Sequence, residues 1–339
     1  MNKFWQVIVA ILIIGTFLFS CNKEKERKIN GVSFVATPHK VTETHITPVV
    51  ALHANYAAIM PFGFVKSIAH PKVLFNTNKQ WYGETVVGVN QNIIMLKKSG
   101  IKIMLKPQLW VWDGVFTGII KMNTEEDWRL FELGYERFIL TFAEVAEKND
   151  VAIFCIGTEL DFFIKHRPEF WENLIKKVRA VYKGKLTYAA NWNEYTKTPF
   201  WAKLDYIGVD AYFPLVNEKT PSVNGLRLAW DKPKLLLKKY SDSLQRKILF
   251  TEFGYRSVAF TAHKPWDVAY DKTTVNLQGQ TNATKVLFEQ FWKENWFAGG
   301  FLWKWFPDYV NSGGVHNARF TPQNKPAEEV VREVYLKYK

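Results

Sequence analysis

The chain has 339 residues, with 45 Lys+Arg against 32 Asp+Glu, a formal charge of +13, 47% hydrophobic and 23% charged residues. That balance excludes a wholly disordered chain, and the length supports a sizeable core without a disulfide or metal staple. The 14 Trp, 14 Tyr and 26 Phe, 16% of the chain, exceed what packing alone calls for and point to stacking platforms for sugars or bases.

In chain order, residues 1–20 come first. Lys3 is a positive n-region, and positions 4–19 form an apolar run broken only by Gln6, Gly15 and Thr16. The run is short for a membrane span and suits a signal peptide. It ends in Leu18-Phe19-Ser20-Cys21, which resembles a bacterial lipobox and implies acylation of Cys21 as the mature N-terminus. The expected localisation is therefore the bacterial cell envelope, exported and lipid-anchored. Nucleic acid is then not a partner, despite the positive charge. Residues 21–30 are charged, lack core formers and read as a tether.

From residue 31 to 339 there is no Pro/Gly/Ser-rich boundary, so one domain is expected. Apolar runs at 32–36, 56–60, 101–106, 152–156, 186–190, 206–209, 248–251 and 300–303 predict strands. They lack a polar face, as parallel strands covered on both sides do. Between them, apolar spacing of three and four predicts helices over 89–99, from Thr124 onward, and over 168–182, 233–245, 281–295 and 326–338. Thr124 with Asp127 is similar to a capping box, and Trp128, Phe131, Tyr135, Phe138, Ile139 and Phe142 form the apolar stripe behind it. Eight such strands alternating with helices predict an α/β fold, a (β/α)8 TIM barrel. No G-x-G-x-x-G or Walker-type phosphate loop favours an open nucleotide-binding sheet.

In a barrel of this kind the chemistry sits at the C-terminal ends of the strands. After the fourth predicted strand stands Gly157-Thr158-Glu159, and after the seventh Thr251-Glu252-Phe253. Two carboxylates facing one cleft suit glycoside hydrolysis, one protonating the leaving oxygen while the other attacks the anomeric carbon or activates water. Trp110, Trp192, Tyr212 and Trp303 follow or finish strands and offer apolar faces to sugar rings. Lys106, Gln108, Asn191 and Asp210 occupy positions suited to sugar hydroxyls, although packing or local hydrogen bonding explains any one of them equally well. The seven His are scattered, with no H-E-x-x-H or C-x-x-C, so neither a metal nor a cofactor is expected. No G-x-S-x-G elbow supports a serine hydrolase. With Cys21 lipidated, Cys155 has no partner and reads as a buried small hydrophobe.

Several segments together carry a family resemblance. They are Leu105-Lys106-Pro107-Gln108, Phe154-Cys155-Ile156-Gly157-Thr158-Glu159-Leu160, Tyr188-Ala189-Ala190-Asn191-Trp192, the run 204–215, Thr251-Glu252-Phe253-Gly254-Tyr255-Arg256, Phe301-Leu302-Trp303-Lys304-Trp305 and the run 321–327. In this order they resemble glycoside hydrolase family 113, in the clan of retaining glycosidases with glutamates ending strands four and seven. The resemblance implies β-1,4-mannan or manno-oligosaccharide as substrate, Glu159 as general acid/base and Glu252 as nucleophile. It also implies a hydrogen bond from Tyr212 to Glu252, Trp303 as the floor of the −1 sugar site, and Asn191 and Trp192 on the leaving-group side. Thr158 departs from the clan's Asn at the 2-hydroxyl contact. Gln108 stands where the family pattern has His, and Phe116-Thr117-Gly118 where it has Trp-Arg-Gly.

Two alternatives remain open at this level: another β-linked hexose polymer as substrate, or a lipoprotein that binds sugar without cutting it. Partners are expected to be an oligo- or polysaccharide and, through the anchor, a membrane; a monomer is expected. The long segment 256–279, with Trp266 and Tyr270, is a candidate wall for one end of the cleft.

Overall fold

Strands without a polar face must be covered on both sides, and the structure, a computed structural model describing residues 27–267 and 274–339, covers them by closing the sheet. Its strands are β1 (Ile29–Phe34), β2 (Tyr56–Ile59), β3 (Phe62–Val65), β4 (Lys102–Leu105), β5 (Gln108–Val111), β6 (Ile153–Thr158), β7 (Lys185–Asn191), β8 (Tyr206–Asp210), β9 (Lys247–Phe253) and β10 (Phe297–Trp305). The closed barrel runs β1-β10-β9-β8-β7-β6-β4-β2, all pairs parallel. These eight are the eight predicted strands, so the (β/α)8 expectation holds. The signal segment 1–20 and Cys21 lie outside the described residues. The first strand begins at Ile29, inside the stretch read as tether, and Ile29 and Asn30 are buried.

The helices are α1 (Glu43–Ala51), α2 (Val86–Lys98), α3 (Glu125–Lys148), α4 (Asp161–His166), α5 (Pro168–Val181), α6 (Val223–Leu244), α7 (Leu277–Phe291) and α8 (Pro326–Lys337). Thr124 caps α3 by accepting from Asp127 N at 3.1 Å, as its sequence predicts. Three helices start earlier than expected: α2 by three residues, and α6 and α7 by more. Pro233 reads as a helix start, yet α6 begins ten residues before it, where Ser222 Oγ accepts from Gly225 N at 3.1 Å. Leu226, Trp230 and Leu237 bury one stripe on both sides of Pro233, and that packing outweighs the single bond the proline cannot donate. In α7 the cap is Asn276, accepting from Gly279 N at 2.8 Å. The short parallel pair β3–β5 was not foreseen; its strands follow β2 and β4 and extend above the barrel mouth.

Two layers of core result. The larger lies between strands and helices. The smaller fills the barrel toward the strand N-termini, with Ile29, Ala58, Met104, Ile153, Cys155, Ala189, Leu249 and Phe301. A Cβ at Gly31 would stand 2.4 Å from the Phe301 ring, so the plug requires glycine there. The polar site is built on top of this plug.

Candidate active site

Glu252 lies near the end of β9, buried, and three side chains converge on its carboxylate. Lys106 Nζ and Gln108 Nε2 (3.1 Å) donate to Oε1, and Tyr212 Oη donates to Oε2 at 2.8 Å. Burial and the nearby charges of Glu252 and Asp210 hold the Tyr212 phenol well above its ordinary range, so it keeps its proton and donates. Three donors fix the position and orientation of this carboxylate.

Lys106 follows β4 and is fully buried beneath this carboxylate. Its ammonium also faces Asp210 Oδ2 at 3.6 Å, and Asp210 Oδ1 accepts from Thr251 Oγ1 at 2.7 Å. Burial opposes a charge on Lys106, but Asp210 and Glu252 outweigh it and hold the ammonium above the usual lysine range. Asp210 is pushed up to about 7, by burial first and then by Glu252, with Lys106 acting against both. Lys106 and Asp210 are therefore not sugar ligands, as the sequence reading had them. Neither exposes surface; Lys106 donates to Glu252, and Asp210 is spent on Lys106 and Thr251. Gln108, nearly as buried, also spends its amide on Glu252.

Glu159 is made differently. It follows β6 with φ at 49°, the left-handed region that costs a residue with a Cβ about 1–2 kcal/mol. Its N–H donates to Ala189 O at 2.8 Å, the next N–H, of Leu160, donates to Tyr188 Oη at 2.6 Å, and Thr117 Oγ1 donates to Glu159 O at 3.4 Å. These bonds hold the backbone in that conformation. Among the described residues, no cation pairs with its carboxylate. Burial, then the charges of Asp210 and Glu252, push Glu159 well above the usual carboxylate range. One carboxylate is thus clamped by donors and its neighbour is held toward the neutral acid, the division of labour that acid/base-assisted displacement needs.

The surrounding surfaces differ by side. Toward Glu159 lies a pocket of about 700 Å³ lined by Phe116, Asp161, Phe162, Asn191, Asn193 and Lys197, among others. Asp161 in it is pushed up to about 7, by burial first and then by Glu194, with Lys197 opposing. Asn191 lines this pocket, and its Oδ1 accepts from Trp192 N at 2.8 Å. Trp192 stacks on Trp266, in the described part of the 256–279 segment, with centroids 5.2 Å apart; Tyr270 lies outside the described residues. On the other side, Trp303 lies in β10, half-buried, joined to Lys304 by a cis peptide bond. A Cβ at Gly254 would stand 2.5 Å from Trp303 O, so the chain just past β9 approaches β10 closely at Trp303, one step beyond the Phe253↔Leu302 pair. Trp110 is exposed on β5, with its ring on Phe62 at 6.0 Å. The Thr158 hydroxyl is buried beside the Cys155 thiol. The sequence reading missed Phe320, whose ring meets Tyr212 at 6.0 Å. It stands in a loop with no periodicity to single it out. Among the described residues no group of three His, Cys, Asp or Glu is arranged as a metal-ligand set.

The sequence profile of Glycoside Hydrolase Family 113 matches residues 37–325. The chain belongs to glycoside hydrolase family 113. Among solved structures it is similar to the family 113 β-mannanase of Alicyclobacillus acidocaldarius, with TM-score 0.80 and 22% identity over 92% of this chain and 98% of that one. A second family 113 β-1,4-mannanase superposes with TM-score 0.75 and 22% identity, over 91% and 99% of the two chains. The barrel is also similar to that of Faecalibacterium prausnitzii β-glucuronidase, with TM-score 0.60 and 12% identity, over 92% of this chain and 49% of that one. At these identities the likeness is one of fold. No curated protein matches the chain. As a family 113 member the protein is a glycoside hydrolase, and the site described is the one the barrel places at its catalytic end.

Proposed function

We propose that this glycoside hydrolase cleaves β-1,4-linked mannan or manno-oligosaccharides by double displacement, with Glu252 as nucleophile and Glu159 as acid/base. The observation that carries the reading is the contrast between the two carboxylates: Lys106, Gln108 and Tyr212 on Glu252, and burial without a cation on Glu159. In the first step Glu252 forms a bond to the anomeric carbon, the glycosidic C–O bond breaks, and Glu159 gives its proton to the leaving oxygen. In the second, Glu159 takes a proton from water, whose oxygen displaces Glu252 with net retention. Trp303 would floor the cleaved unit, and the pocket beside Asn191 would take the leaving sugar. The substrate class follows the β-1,4-mannanase titles of the similar structures. The N-terminal sequence supports export and acylation of Cys21.

The test is product analysis. A soluble chain lacking residues 1–21 is incubated with β-1,4-linked manno-, gluco- and xylo-oligosaccharides, beside Glu252→Ala. Cleavage of the manno series, with a β product seen first by NMR and loss of turnover in the variant by about 10⁴-fold or more, is expected. Cleavage of another series keeps the mechanism and overturns the substrate. Binding without cleavage of any series overturns the enzyme reading. For the anchor, metabolic labelling with a fatty acid should mark the full chain and not Cys21→Ala.

A further inference from the structure

The pocket on the Glu159 side contains a second carboxylate, Asp161. It begins α4, two residues beyond Glu159, and lines this cavity of about 700 Å³ while half-buried. Among the described residues no hydrogen bond or ion pair reaches its side chain. Lys197 lines the same cavity but is spent on Glu194, Nζ to Oε1 at 2.9 Å. A carboxylate withdrawn from water costs free energy until other donors replace the water.

An aromatic ring stands beside it. Phe116 is exposed and lines the cavity, just before the 3-10 turn Thr117–Ile119. A Cβ on Gly118 would stand 2.3 Å from the Phe116 ring and 3.1 Å from Asp161 Oδ2. Ring edge and carboxylate oxygen thus converge on one Cα, and only glycine there leaves both in place. The turn is joined to the acid/base itself, since Thr117 Oγ1 donates to Glu159 O at 3.4 Å. An apolar ring next to a partly desolvated acceptor suits a sugar, whose C–H face packs on the ring while its hydroxyls donate. A carboxylate without a cation repels an anion and favours a neutral polyol. Its two oxygens accept from hydroxyls on adjacent carbons at once.

We propose that Asp161 and Phe116 are the recognition unit for the departing sugar: its ring packs on Phe116, and two adjacent hydroxyls donate to the Asp161 carboxylate. That sugar is neutral and keeps free hydroxyls on neighbouring ring carbons. Binding there places the leaving unit beside Glu159. This inference rests on the reading of Glu159 as the acid at the leaving oxygen and deepens it by naming what holds the sugar on that side.

The experiment separates this binding from the chemistry. The constant kcat/KM is measured on the pentasaccharide of the series that is cleaved, expected to be mannopentaose, and on the matching 4-nitrophenyl bioside, whose leaving group carries no sugar. The proteins are the wild type, Asp161→Ala, Asp161→Asn and Phe116→Ala. The ratio of the two constants, pentasaccharide over nitrophenyl, should fall about tenfold or more in Asp161→Ala, from loss of hydrogen bonds to a charged group. It should fall less in Asp161→Asn, whose amide keeps one acceptor oxygen, and it should also fall in Phe116→Ala. Pentasaccharide isotopically labelled at its reducing end shows which bond is cut. With the leaving side weakened, cleavage by Asp161→Ala should move toward the reducing end, a shift that a merely structural role would not produce. Circular dichroism confirms that each variant is folded. A ratio unchanged in Asp161→Ala or in Phe116→Ala, or an unmoved cleavage position, overturns the proposal and leaves the hydrolase reading standing. The converse failure is read by calorimetry of mannopentaose on Glu252→Gln and on the double variant that adds Asp161→Ala. Should the wild type cleave no substrate, an affinity about tenfold weaker in the double variant sinks the hydrolase reading and keeps Asp161 as the sugar's acceptor. Equal affinities sink both.

Discussion

At the scale of single residues, the site is a problem of distributing protons among three carboxyl groups and one lysine. Lys106 supplies one positive charge to Asp210 and Glu252 together. Glu159, beyond its reach for pairing, feels their negative charge and its own burial, and its proton is held to higher pH. If Glu159 is the acid, loss of that proton sets the basic limb of kcat/KM, and the limb should lie well above the ordinary glutamate range of about 4–5. Asp210→Asn removes the second-largest cause of the raised value. Less negative charge makes ionising Glu159 easier, so the basic limb should move to lower pH. The variant should also lose activity, because Lys106 then pairs with Glu252 alone. The profile is read on a glycoside with a poor leaving group, whose departure requires the proton. A basic limb that stays in place in Asp210→Asn would remove Glu159 from the acid's role or Asp210 from its surroundings.

At the scale of elements, the barrel was legible because each strand is an uninterrupted apolar run and each helix an amphipathic one. Glu159 and Glu252 were legible because they end such runs. Lys106, Gln108 and Asp210 were legible as strand-end polar residues, but not their direction, which depends on the barrel's closure bringing β4, β8 and β9 around one point. The starts of α6 and α7 were missed because their caps, Ser222 and Asn276, are weaker signals than an internal proline or an apolar stripe. Loop contacts were invisible for the same reason. Lys325, just before α8, is buried and donates to Ser257 Oγ at 2.9 Å, Asn317 Oδ1 at 3.2 Å and Arg319 O at 2.9 Å. It ties the loop after β9 to the loop that carries Phe320 onto Tyr212. Burial, then Arg256, push its ammonium down from 10.5 to about 7. A lysine with a lowered value in the folded state gives stability that is present above about 10.5 and is lost as pH falls toward 7. Urea unfolding of wild type and Lys325→Met should therefore differ most at neutral pH in slope against pH, the wild type losing stability from pH 10 to 7 relative to the variant. At pH 10, where Lys325 is a neutral amine with two N–H, the variant should be the less stable by about 2 kcal/mol, since its methionine leaves two of the three oxygens without a donor. Parallel pH dependences in the two proteins would show that Lys325 keeps an ordinary value.

At the scale of the whole molecule, a closed barrel must join its first strand to its last, and here the joint is polar as well as hydrophobic. β1 pairs with β10 from Ile29↔Gly299 onward. Behind that seam, Asn30 is fully buried and serves three elements. Its Oδ1 accepts from Trp292 Nε1 at 2.8 Å, its Nδ2 donates to Tyr335 O at 3.1 Å, and its N–H donates to Asn55 Oδ1 at 2.8 Å. Tyr335 Oη returns a bond to Gly31 O at 2.7 Å. The chain's first strand is thus fastened to its last helix. Replacing Asn30 by Ala leaves the indole N–H and the Tyr335 carbonyl buried without partners, at about 1–3 kcal/mol for each group. The expected result is a urea midpoint lowered by about 2–4 kcal/mol of stability at constant m-value. Disrupting the exposed pair of Lys98 and Glu43 with Lys98→Ala should leave the midpoint in place, because water solvates both groups once they part. Should the two substitutions shift the midpoint equally, closure of the barrel would not depend on this buried network, and the seam would be held by the strand pairing and the apolar plug alone.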